Sequence, residues 1–99
     1  MAKGTEFKNY LTNKLLDPKF AAEYIVAAIK ENDSDFLNQA LGDVVKAHGI
    51  ADLAEETGIA RQAIYAMTSK KGNPTLQNIN KILNAIGLEI TVKAKKSAS

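Results

Sequence analysis

The stretch Leu53-Ala54-Glu55-Glu56-Thr57-Gly58-Ile59-Ala60-Arg61-Gln62-Ala63-Ile64-Tyr65 decides how this chain folds. Ala54 is the small residue a first helix needs where a second helix crosses it closely. Four positions on, Gly58 permits the positive φ that a tight reversal requires. Ile59 plugs the corner from inside, and Ile64, five residues later, packs the second helix back on the first. The spacing predicts two short helices, Ile50 to Thr57 and Arg61 to Thr68, joined as a helix–turn–helix. Arg61, Gln62, Tyr65 and Ala66 are left on the outer face of the second helix.

That face has the chemistry of a major-groove reader. Arginine pairs with guanine O6 and N7, glutamine with adenine N6 and N7, and tyrosine can meet a phosphate or a thymine methyl. The run after it, Ser69-Lys70-Lys71-Gly72-Asn73-Pro74, is dense in turn residues and reads as a loop carrying two cations.

Upstream, Gly49 ends a helix whose apolar stripe is Phe36, Leu37, Ala40, Leu41, Val44 and Val45, with Asp33 and Ser34 both competent to cap its start. Before it, Asp17-Pro18 supplies an N-cap followed by proline at the first helical position. The stripe Phe20, Ala21, Tyr24, Ile25, Ala28, Ile29 then runs toward Asn32. Residues 1–16 place Phe7, Tyr10, Leu11, Leu15 and Leu16 among polar residues without clear caps, and read as an extended arm. Downstream, Thr75 caps a helix buried through Leu76, Ile79, Ile82, Leu83 and Ile86 and stopped by Gly87. Leu88-Glu89-Ile90-Thr91-Val92-Lys93 alternates apolar and polar residues strictly, the pattern of a half-buried strand. A strand alone in a helical chain has no ladder partner of its own, so the pattern predicts antiparallel pairing with the same strand of a second protomer, the rival being addition to the sheet of another protein.

Ninety-nine residues suffice for one domain, since domains run to about 100–150 residues. With 45% hydrophobic and 24% charged residues, the balance is that of a globular chain. The expected division is an N-terminal arm over 1–16, an N-terminal helix over 17–33, a helix–turn–helix domain with its strand over 34–93, and a tail over 94–99 that frays. The chain has no cysteine, which excludes disulfides, thiolate chemistry and cysteine-based metal sites. No signal-peptide core or membrane-length apolar run is visible, so a cytoplasmic location is expected.

Charge is divided unevenly. Residues 1–56 hold six lysines against ten acids, a net of −4, whereas residues 57–99 hold seven basic residues against Glu89 alone, a net of +6. The basic half suits a polyanion, and the acidic half a basic partner. Catalysis is not expected. His48 is the only histidine and sits in the last turn of its helix, where its charge suits the helix dipole. Asp33-Ser34-Asp35 lacks the glycine and terminal glutamate of a calcium loop. Lys70-Lys71-Gly72 lacks the upstream glycine of a phosphate loop. No cofactor or metal is implied. Tyr24 and Phe36 are expected in the core.

The pattern Gly49 … Leu53-Ala54-Glu55-Glu56-Thr57-Gly58 … Ala63-Ile64-Tyr65 … Gly72-Asn73-Pro74-Thr75 … Ile82-Leu83-Asn84-Ala85-Ile86-Gly87-Leu88 resembles the helix–turn–helix of the phage-repressor-like Xre family. It is more similar still to the HigA-like addiction module antidote proteins, partners of RelE/ParE-type toxins. The resemblance runs from about Phe7 to Val92. It implies an all-α, phage-repressor-like bundle of about five helices with one short C-terminal β-strand. It further implies a DNA-binding protein that represses its own operon and neutralises its toxin; because a single site of this size contacts little duplex, a homodimer reading an inverted repeat is expected. Under this resemblance Arg61, Gln62 and Tyr65 face the groove, while Lys70, Lys71 and Asn73 meet the sugar–phosphate backbone. Ala60 stands where many relatives carry serine or threonine, so the second helix lacks a side-chain N-cap.

Two other readings stay open at the level of sequence: a stand-alone repressor without a toxin, and an interaction module whose helix–turn–helix never touches DNA. The outer-face residues separate the last from the others. A short, basic, RelE-like neighbouring reading frame separates the first two.

Overall fold

The computed structural model describes residues 2–96. Among them six helices follow one another: α1 (Ala2–Leu15), α2 (Pro18–Lys30), α3 (Ser34–His48), α4 (Ile50–Thr57), α5 (Arg61–Met67) and α6 (Leu76–Ala85). The caps fall where the sequence put them. The Asp17 carboxylate accepts from the Lys19 N–H at the start of α2, the Asp33 carboxylate from the N–H groups of Asp35 and Phe36 at the start of α3, and the Thr75 hydroxyl from the Asn78 N–H at the start of α6. Each satisfies donors that the helix itself leaves unpaired.

Two apolar clusters form the core, and α3 and α6 are the wall between them. The first joins Leu15 of α1, Ala21 and Ile25 of α2, Leu41 and Val44 of α3 and Leu83 of α6. The second joins Val45 of α3, Leu53 of α4, Ile59, Ile64 and Met67 around α5, and Ile82 of α6. Adjacent residues on one helix, Val44 and Val45 or Ile82 and Leu83, thus serve different clusters. Because α2 buries Ala21, Ile25 and Ala28 almost completely, it belongs to the domain's core.

Four expectations are corrected. Residues 2–15 form a helix where an extended arm was expected. Leu11 and Leu15, one turn apart, pack against α2 and α3, and this burial supports a helix whose ends carry little capping signal. Leu76 is 69% exposed and Phe36 46% exposed, because both stand in the first turn of their helices and project past the core. No strand forms among the described residues. The Leu88 N–H closes α6 on the Leu83 carbonyl at 2.8 Å, and beyond it residues 89–96 make no backbone–backbone hydrogen bond among the described residues. A strand exists only through a ladder, and among the described residues nothing supplies the second rung. Of the expected tail, residues 97–99 lie outside the described residues.

No helix among the described residues is long and apolar enough to cross a membrane.

Candidate nucleic-acid interface

The turn between α4 and α5 is built from Leu53 onward. Leu53 is fully buried and anchors α4. Gly58 adopts φ 78°, ψ 5°, the left-handed conformation that ends α4, and its N–H donates to the Ala54 carbonyl at 2.9 Å. The Thr57 hydroxyl donates to the Leu53 carbonyl at 2.6 Å and accepts from the Ile59 N–H at 3.1 Å, pinning both sides of the corner. Ile59 and Ile64 are buried, as the corner requires. Ala60 begins α5 with extended backbone and no side-chain cap hydrogen bond.

With Ile64 and Met67 turned inward, Arg61, Gln62, Tyr65 and Ala66 are all exposed on α5, Tyr65 by 56%. Arg61 and Tyr65 stand one helical turn apart, as do Gln62 and Ala66, so the four make one contiguous face. Among the described residues Arg61 makes no ion pair within 4.0 Å; it borders a shallow depression with Asp52 and Glu55 of α4. Tyr65 and Lys70 share a separate groove with Gln39, Asp43 and Lys46 of α3. Lys46 adds a cation to the face that the sequence reading did not assign. Its signal was available in the spacing of Gln39, Asp43 and Lys46, which is i, i+4, i+7 on one side of α3.

The loop after α5 is held from beneath. Asn38, 3% exposed, donates its amide N–H to the Gly72 carbonyl at 2.7 Å, with the Lys70 carbonyl at 3.5 Å. Gly72 passes so close to α5 that a Cβ there would overlap the Ala66 carbonyl oxygen and come within 2.7 Å of the Met67 carbonyl oxygen. These two contacts fix the loop's path and leave Lys70, Lys71 and Asn73 at the surface. Lys71 lies 2.8 Å from the Asp35 carboxylate of α3. That hydrogen bond, and then the charge of Asp35, hold the Lys71 ammonium above the ordinary lysine range. An exposed pair of this kind is weak and easily exchanged for another anion. Asn38 had no signal in sequence, because its partners lie 32 and 34 residues away.

Two further contacts join titratable groups. The Tyr24 hydroxyl donates to the Asp43 carboxylate at 2.7 Å, and its pKa is pushed up to about 12 by burial, then by that hydrogen bond and the negative charge. His48 Nε2 stands 3.8 Å from the Glu56 carboxylate across the α3–α4 corner. No group of three or more histidine or acidic side chains suited to a metal ion occurs among the described residues.

Residues 6–94 match a family of proteins described as probable addiction module antidote protein. A protein of Haemophilus influenzae, described only as uncharacterized, is 29% identical over 75 residues, which span 76% of this chain and 77% of its own length. No solved structure matches the chain.

Proposed function

The chain belongs to the family of probable addiction module antidote proteins, matched over residues 6–94, and on that premise we propose that it is the DNA-binding antitoxin of a type II toxin–antitoxin module. In this reading it neutralises a RelE/ParE-type toxin and represses its own operon in the cytoplasm. The family match carries the antitoxin role. The contiguous exposed face of α5, beside a basic loop with a fixed path, is what supports the DNA-binding part.

Division of labour follows from charge and exposure. A toxin that cleaves RNA has a basic active site, which favours an acidic partner with apolar anchors. The N-terminal half has that sign, and α1 exposes Phe7 by 63% and Tyr10 by 60%. The toxin contact is assigned to residues 7–32, chiefly the outer face of α1, because the inner face of α2 is already buried. Residues 50–75 stay free for duplex, with Arg61, Gln62, Tyr65 and Ala66 in the major groove and Lys70, Lys71 and Asn73 on the backbone. A single domain of this size covers little DNA, so a two-fold dimer on an inverted repeat is expected.

Titration of the operator fragment tests the DNA face. Arg61→Ala should weaken the specific site by about 1–3 kcal/mol and leave non-specific binding nearly unchanged. Lys70→Ala should weaken all sequences alike and lower the salt slope by about one. Wild-type binding by both variants would remove this face from the DNA contact. Co-purification with the product of the neighbouring reading frame tests the toxin.

A further inference from the structure

The chain's C-terminal segment leaves α6 at Gly87 and runs past α2, where Ile25, Val26, Ile29, Leu83, Leu88 and Ile90 line an apolar groove. The groove is only partly filled. Val26 is 47% exposed, Ile29 54%, Ile90 40% and Val92 93%. Residues 89–96 also make no backbone–backbone hydrogen bond among the described residues. An apolar stripe and a run of unpaired backbone donors and acceptors therefore lie side by side. A segment of this composition with its backbone unpaired can form a ladder with another strand.

The sequence of the segment selects what that strand is. If a second copy pairs with it antiparallel about a two-fold axis at Thr91, Ile90 of one copy stands opposite Val92 of the other. Leu88 meets Ala94, and Glu89 meets Lys93. Directly opposed residues share a face of the ribbon, so every apolar pair lands on one side and both charge pairs on the other. Centring the axis on Ile90 instead sets Glu89 against Thr91 and Lys93 against Gly87, and loses both charge pairs; centring it on Val92 keeps Glu89 against a lysine, Lys95, but sets Leu88 against Lys96 on the apolar side. A two-stranded ribbon is marginal by itself in water. Here its apolar side has a surface to lie on, the exposed Val26 and Ile29 of each copy's α2.

We propose that residues 88–94 of two copies pair antiparallel about Thr91, Glu89 opposite Lys93, and that the ribbon closes the groove on α2. This rests on the homodimer reading above and adds its surface and register.

The absence of cysteine makes a direct test possible, since any disulfide must then come from an introduced thiol. Full-length Thr91→Cys and Glu89→Cys proteins are oxidised with copper–phenanthroline after sedimentation of the wild type has established its state of association. Opposed residues across an antiparallel ladder have Cα atoms about 4.5–5.5 Å apart, within disulfide reach. Thr91→Cys should therefore cross-link nearly completely, while Glu89→Cys, four positions out of register with its own copy, should not. In parallel, Glu89→Lys or Lys93→Glu should raise the dimer dissociation constant roughly two- to fivefold, and the double variant E89K/K93E should restore it. A wild-type dimer in which Thr91→Cys cross-links no faster than Glu89→Cys overturns the register and leaves the dimer standing. A wild-type monomer overturns both.

Discussion

The two core clusters of this protein are finished to different degrees. Around α4 and α5, Val45, Leu53 and Ile64 are each no more than 1% exposed, and the outward positions are polar or small except for Tyr65. Around α1 and α2 the buried set is complemented by half-buried Leu11, Phe20 and Tyr24, while Phe7, Tyr10, Leu16, Val26 and Ile29 stand in solvent. A closed cluster under a polar face is a rigid platform. An open cluster with apolar overflow is surface that stays exposed until something covers it. The charge follows the same line, −4 over residues 1–56 and +6 over residues 57–99.

Four substitutions test that contrast. Leu53→Ala empties the centre of the closed cluster and should cost about 2–5 kcal/mol in urea unfolding. A loss below about 1 kcal/mol would show that the platform is no better packed than the rest. Asn38→Ala strips the donor from the Gly72 carbonyl and should cost about 1–3 kcal/mol. Hydrogen exchange should then rise in residues 69–74 ahead of α5; unchanged protection there would mean that Gly72 alone sets the loop.

Tyr24→Phe probes the open cluster and should cost about 1 kcal/mol near neutral pH through the lost bond to Asp43. The pH dependence has a definite sign. The folded state holds the phenol proton more tightly, with a pKa of about 12 against 10.0, so its contribution is complete below pH 10 and is lost as pH rises toward 12. Wild type and Tyr24→Phe should therefore converge in stability across that window, and parallel curves would place the phenol in ordinary solvent. Phe7→Ala is the smallest in stability, within about 0.5 kcal/mol, yet should weaken toxin binding at least tenfold by calorimetry if Phe7 is an anchor, on the scale of about 1.4 kcal/mol per decade. Destabilisation comparable to Leu53→Ala would make Phe7 core and close the cluster described here as open.

Legible in the sequence was whatever local chemistry determines. Asp17-Pro18, Asp33, Gly58 and Thr75 each set a helix boundary through bonds or backbone preferences within four residues. The outward positions of α5 followed from the inward ones by helical period. What stayed hidden was set at a distance. Helix α1 has apolar residues at helical spacing, Phe7, Tyr10, Leu11 and Leu15, but lacks evident caps, and docking on α2 and α3 decides its state. Asn38 reads as an ordinary helix-face polar residue until the loop over it is in place. Alternation over residues 88–93 was visible, but alternation gives a strand's faces and not its partner.

Gly72 turns the geometry of the loop into a rule about sequence variation. Any side chain there must displace carbonyl oxygens of α5 itself, so the position tolerates no substitution that keeps the loop's present path. Lys70, Lys71 and Asn73 on either side face solvent and are free to change with whatever they touch. Across a collection of related chains, a glycine at this point would mark those that carry the loop over α3 in the same way. A different residue there would announce a rebuilt loop, whatever the basic residues around it look like.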